Sequence, residues 1–252
     1  MSEPPVSVLM PAYNAEAFID KAIQSIRDQT YEDWELVVVD DCSSDDTWSI
    51  IQRHVAEDDR VRGVRNEENL GVVKTRNKLF DLARDESEYY AIFDADDISE
   101  PRRLDEQVAF LDEHPRVGVV GSYLPVIDAE GSVIGRRDYP CEPIAVRQAL
   151  PVYDPIGQPS AMIRREAIET VGRYDERLER SQDYDLWWRI SKKYEVANID
   201  DVLVEYRMHE GQGKLSSMRE TLRNTVWIKW QYVSWREFLR PAVMSRVVLE
   251  LS

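Results

Sequence analysis

The chain has 252 residues, with 48 acidic against 32 basic side chains and a formal net charge of −16. That balance repels phosphate backbones and excludes nucleic acid as a natural partner. Hydrophobic residues make up 43%, with seven Trp and twelve Tyr, which excludes wholesale disorder.

The first half alternates strand and helix patterns. Val6-Ser7-Val8-Leu9-Met10 is a β-rich run ended by Pro11, and Phe18, Ala22 and Ile26 then share a helical face. Residues 36–39 form an apolar strand. Asp40-Asp41-Cys42-Ser43-Ser44 turns into a helix that should bury Ile50, Ile51 and Val55, with Ser44 as its cap. A strand is expected at 61–64, a helix at 73–82 and a strand at 89–93, which runs into Asp94-Ala95-Asp96-Asp97. Pro101 opens a helix carrying Leu104, Val108 and Leu111. This β-α-β-α-β-α-β order predicts an open, mostly parallel α/β sheet with helices on both faces.

The second half is less regular. A strand is expected at 117–122, then a hairpin turning at Asp128-Ala129-Glu130-Gly131. Short helices follow, and Ser181 should cap a helix that starts at Gln182-Asp183 and carries Leu186, Trp187 and Ile190. Strands are expected at 196–199 and 202–208. No linker composition divides the chain, so residues 1–224 read as a single domain, with one half to about 120 and a second half beyond it. Residues 225–252 read as a helical tail.

Ligands of an open α/β sheet sit outside the carboxyl ends of its strands. Three such ends here carry polar groups: Pro11-Ala12-Tyr13-Asn14, Asp40-Asp41 and Asp94-Ala95-Asp96-Asp97. An Asp run alone could be turn chemistry. Carboxylates held close repel unless a cation lies between them, and oxygen ligands suit Mg2+ or Mn2+ bridging to a diphosphate.

In order and spacing, these three strings resemble family 2 glycosyltransferases of GT-A fold, as do Asn69-Leu70-Gly71 with Arg76-Asn77, and Ser181-Gln182-Asp183-Tyr184-Asp185-Leu186-Trp187-Trp188-Arg189. The likeness covers residues 5–210. It implies an inverting transferase that uses a nucleoside-diphosphate sugar and a divalent metal, Mn2+ or Mg2+. By the same resemblance, Pro11 and Tyr13 line the base pocket and Asp41 accepts from the base's ring N–H, favouring uracil. Arg76 serves the nucleotide, Asp94 the ribose or a metal-bound water, and Asp96 ligates the metal, with Asp97 a local structural residue. Two residues depart from the pattern: Cys42 stands where Gly is common, and Gln182 where Glu is common.

Asp183 is the expected general base, taking the acceptor hydroxyl's proton. It lies in the first turn of its helix, where the macrodipole should keep it ionised; the same position would suit a mere helix-start carboxylate. His209 is either a metal or diphosphate ligand or an ordinary polar group, and residues 210–214 have the composition of a closing loop. Gln182 and Trp187 are the expected acceptor-side residues, although Trp187 and Trp188 could equally pack.

Ile228, Tyr232, Trp235 and Leu239 have helical spacing in the slightly basic tail, which suits peripheral membrane contact and a lipid-linked or other glycan acceptor; packing on the core is the alternative. Two Cys make no disulfide framework, and neither a signal-peptide pattern nor a long apolar run occurs. The expected location is therefore the cytoplasm, with or without contact to its membrane face. Only 7 of the 32 basic residues are Lys, a composition expected of a halophile. A phosphoreceiver domain is disfavoured because the acidic pair follows the second strand rather than the first. A nucleotidyltransferase is disfavoured by the absence of a Gly-rich basic loop after strand one. A non-catalytic sugar-nucleotide-binding module is disfavoured by Asp183.

Overall fold

The computed structural model describes residues 5–209 and 215–233, with side chains of the last segment from residue 219. The first half follows the expected alternation: β1 (Val6–Ala12), α1 (Ile19–Arg27), β2 (Trp34–Asp40), α2 (Thr47–Glu57), β3 (Val61–Arg65), α3 (Val72–Leu82) and β4 (Tyr89–Ile92). All seven residues of β2 are buried, the apolar run 36–39 together with the flanking Trp34, Glu35 and Asp40, as a strand in a sheet covered on both faces requires. Alternate residues of β1 serve opposite layers. Val6, Val8 and Met10 pack with Ile19, Ile23 and Ile26 of α1, whereas Leu9 joins Val73, Leu79 and Phe80 of α3.

These four strands are parallel in the order β3-β2-β1-β4. The chain therefore leaves β1 in opposite directions on its two sides, and the crevice at the carboxyl ends of β1 and β4 is the switch point of the sheet. Beyond β4 come β5 (Ile98–Ser99), α4 (Arg103–Glu113), β6 (Val117–Ile127), β7 (Val133–Arg137), α5 (Pro143–Ala149), a 3-10 turn at Gln158–Ser160, β8 (Met162–Arg164), α6 (Arg165–Val171), α7 (Gln182–Ser191), β9 (Glu195–Val202), β10 (Val204–Arg207) and α8 (Leu215–Tyr232). Here the sheet turns mixed. β8 inserts antiparallel between β4 and β6, β9 runs parallel to the start of β6, and β7 and β10 flank its end.

Several local expectations are corrected. Ser44 does not cap α2: its backbone N–H donates to Asn14 Oδ1 at 2.9 Å, while Asp45 Oδ1 accepts from the backbone N and hydroxyl of Thr47. Val55 is 37% exposed, and His54 takes the buried position, held by Asp20 at 2.8 Å. Ser181 precedes α7 but makes no side-chain cap; its backbone is left-handed, with φ +59°.

Helix α8 runs through position 224, where the sequence suggests the tail begins. Its Ile228 is buried in the core beside α7, Tyr232 donates to Asp185 Oδ1 at 2.9 Å and stacks on Trp188, and Lys229 donates to Val152 O. The described part of the tail thus packs on protein through Ile228 and Tyr232, the alternative to a membrane-facing stripe, while Trp230 on the opposite side is 79% exposed. Trp235, Leu239 and the expected closing loop at 210–214 lie outside the described residues. No helix among the described residues is long and apolar enough to cross a membrane.

Candidate active site

At the switch point the first two strand ends are tied to each other. Asp41 N donates to Ala12 O at 2.8 Å, extending the β1–β2 ladder by one step, and Asn14 N donates to Ser43 Oγ at 2.9 Å. Asp40 is wholly buried against Arg65 and Ser43, so it shapes the turn and faces no ligand. Asp41 turns the other way. Its Oδ1 accepts from Asn66 Nδ2 and Leu70 N, and its Oδ2 from Gly71 N, at 2.7–2.9 Å. These bonds fold the 66–71 loop over the strand ends, and Gly71, at φ +85°, supplies a backbone geometry L side chains rarely adopt. A carboxylate offers about four lone pairs, so one acceptor direction of Asp41 remains. Cys42 keeps the left-handed turn that Gly would favour, with φ +63°.

The third strand end is held from two sides. Arg76, on α3 and 7% exposed, donates to Asp94 Oδ1 at 2.5 Å and to Gln158 Oε1 at 2.6 Å. Arg207 of β10 donates its backbone N to Asp97 Oδ1 and its Nε to Asp96 O, both at 2.7 Å. Asp97 is fully buried in that structural role, and burial beside Asp96 and Asp94 pushes its carboxyl well above the usual range. The same strand delivers His209, whose Nε2 lies 3.1 Å from Asp96 Oδ2 and whose ring rests 4.8 Å from that of Phe18.

Pro11, Tyr13, Asp41, Arg76, Asp94, Asp96 and His209 line one cleft of about 870 Å³. Tyr13 stands at its mouth, 52% exposed. Asn14 of the first strand end also lines it, as do Phe18, Thr75, Tyr206 and Arg180, to which sequence reasoning gave no site role. The metal set is looser than expected. Among the described residues no three His, Cys, Asp or Glu side chains gather as a cation site, because Asp94 is turned toward Arg76. Asp96 and His209 side by side still fit a divalent ion whose other ligands come from a diphosphate and water.

Asp183, Gln182 and Trp187 do not line this cleft. Trp187 is fully buried in the layer that α7 shares with α3 and α6, which corrects its expected place on the acceptor side. Gln182 is 6% exposed, and its Nε2 donates to Gln158 Oε1 at 3.4 Å. Gln158 thereby links Arg76 to the start of α7. Asp183 is half-buried beside this link and accepts from Tyr184 N at 2.9 Å. Burial raises its carboxyl above the ordinary value, against the pull of the Tyr184 N–H and the Arg76 charge, and the Asp94 charge adds to the rise. At this helix start burial thus outweighs the groups that favour the carboxylate. Asp154, which the sequence reading passed over, is held well above the usual carboxylate range by burial and by the Asp183 charge.

Residues 7–172 match the model of glycosyl transferase family 2. The chain belongs to that family. It is 34% identical over 229 residues to glycosyltransferase EpsE of Bacillus subtilis, covering 89% of this chain and 81% of that one. It is 27% identical over 222 residues to WfaP of Escherichia coli, named a UDP-Glc:alpha-D-GlcNAc-diphosphoundecaprenol beta-1,3-glucosyltransferase, covering 87% and 84%. Two solved structures share the fold. TarS of S. aureus with UDP-GlcNAc aligns with TM-score 0.70 at 18% identity, over 98% of this chain and 79% of that one. The mannosyltransferase PcManGT of Pyrobaculum calidifontis, in complex with GDP-Man and Mn2+, aligns with TM-score 0.70 at 21% identity, over 100% and 71%. The protein is thus a glycosyltransferase with the expected α/β GT-A architecture, and Arg180, Asp183 and His209 lie beyond the span that the family model matches.

Proposed function

We propose that this transferase moves a sugar, with inversion, from a UDP-sugar to a hydroxyl of a glycan or lipid-linked glycan, with Asp183 as general base. The observation that carries the reading is the single cleft lined by Pro11, Tyr13, Asp41, Arg76, Asp94, Asp96 and His209, with Asp183 beside it at the start of the helix that Gln182 and Gln158 link to Arg76, and with its carboxyl raised by burial. A base whose pKa lies closer to the working pH takes a proton more effectively than an ordinary exposed aspartate. Tyr13 covers the base and the remaining lone pair of Asp41 accepts from its ring N–H, which favours uracil. Arg76 holds Asp94 in place beside the ribose. UDP is further supported by the donor named for WfaP and the ligand of TarS, while GDP-Man in PcManGT marks the competing donor class.

In the reaction, the acceptor hydroxyl loses its proton to Asp183. Its oxygen bonds to the anomeric carbon from the face opposite the diphosphate, and the carbon–oxygen bond to the diphosphate breaks with that electron pair. Asp96 and His209 would hold Mn2+ or Mg2+, which when bound offsets the charge of the diphosphate. A lipid-linked acceptor would put the enzyme at the cytoplasmic membrane face, and the exposed Trp227 and Trp230 of α8 are the described residues suited to touch it.

The test is Asp183→Asn. The variant should bind UDP with Mn2+ as the wild type does, read by thermal shift, while transfer falls about a hundred- to ten-thousand-fold. Turnover near wild type would sink the assignment. A screen of UDP- and GDP-sugars by the same thermal shift selects the donor class.

A further inference from the structure

Arginine in this protein is almost everywhere engaged. Arg65 pairs with Asp40, Arg84 with Asp33, Arg173 with Asp81, Arg177 with Asp175 and Arg189 with Asp185. Arg180 breaks that pattern. It lines the donor cleft and is exposed, and among the described residues no carboxylate or other acceptor holds its guanidinium. In a chain with 48 acidic residues, an arginine that faces a cleft with no partner among the described residues is conspicuous.

Its position is built by the fold around it. Asn224 of α8 donates Nδ2 to the carbonyl of Arg180 at 3.0 Å, and Thr225 lies 3.3 Å from the Ser181 hydroxyl. These contacts hold Ser181 in its left-handed conformation, which a non-glycine residue keeps only where its surroundings enforce it. The same turn starts α7 and so fixes Arg180 relative to Asp183.

The charge of the cleft indicates what Arg180 meets. Its described lining carries Asp41, Asp94 and Asp96 against two arginines, and the charge of Arg76 is already committed to Asp94. An entering diphosphate thus faces a wall of like charge. A guanidinium matches phosphate oxygens in a two-pronged fork and stays charged at any working pH. We infer that Arg180 is a donor-binding residue of this transferase that grips the diphosphate and stabilises the charge it gains as the sugar departs. This inference rests on the nucleotide-sugar reading above and adds a residue that neither the family match nor the sequence motifs assign.

The experiment uses the full chain with Mn2+ and measures binding of UDP, UMP and uridine to wild type, Arg180→Gln and Arg180→Lys by competition against the donor. Arg180→Gln should weaken UDP about 10- to 100-fold, weaken UMP less and leave uridine unchanged, with Arg180→Lys in between. Its salt dependence for UDP should also flatten. Equal losses for UDP and uridine would overturn the assignment, as would unchanged UDP binding, with or without a raised acceptor KM. A wild type that binds neither UDP nor GDP sinks the donor reading itself, an outcome distinct from a variant that merely matches the wild type. Melting temperatures of the variants verify that the exposed position tolerates the change.

Discussion

Asp183 stands between opposing fields. Burial and the Asp94 charge favour its protonated form, while Arg76 and the Tyr184 N–H favour the carboxylate, and the sum lies above the ordinary aspartate value. The other titratable groups in its field are Asp154, raised by burial and by the Asp183 charge, and Tyr139 and Tyr174, each pushed up by burial to about 12 and neutral at working pH. Catalysis needs the ionised base, so activity is lost as pH falls through this raised pKa. The acid limb of kcat/KM should therefore lie above the reference aspartate value of about 3.9, and a limb at or below that value would remove Asp183 from the role. At this scale the sequence was legible where a carboxylate ends a strand, as at Asp41 and Asp96. It was illegible where burial decides, as at Asp154, because accessibility depends on distant packing.

Helix α7 shows how one element serves two purposes. Its first turn carries Asp183, while Leu186, Trp187 and Ile190 are buried beneath it. Trp187→Ala should cost roughly 3–5 kcal/mol of stability and leave the acceptor KM of the folded fraction unchanged. Denaturant melts paired with acceptor kinetics check this, and a selective rise in acceptor KM would restore the sugar-facing role. The helical period of α7 was readable, since its apolar residues recur at the right spacing; which side of that stripe meets a sugar was not. The parallel half was likewise legible, because β2 centres on the apolar run 36–39 and each helix shows a buried face. The insertion of β8 between β4 and β6 was not, since three residues of antiparallel pairing carry little local signal. Arg180 stayed hidden because it lies outside the motif that starts at Ser181, and only the contact of Asn224 with its carbonyl shows what holds it.

Across the whole molecule, the net charge of −16 is spread over a surface on which many arginines are already paired. Exposed pairs contribute little to stability, so mutual repulsion of the excess carboxylates should dominate the response to salt. The melting temperature should rise between about 0.1 M and 2 M KCl as screening shortens the reach of that repulsion. A fall would show instead that the ion pairs outweigh it and would count against a halophilic origin. The pairing of β10 with β6, secured by the Arg207–Asp97 bond across 110 residues of sequence, returns the chain to its acidic turn. One consequence concerns modularity. The segment 7–172 contains the nucleotide-side wall but not Arg180, Asp183 or His209. That stretch is half a site, and a protein that borrowed it alone would inherit a nucleotide pocket without the groups proposed here to work on its contents.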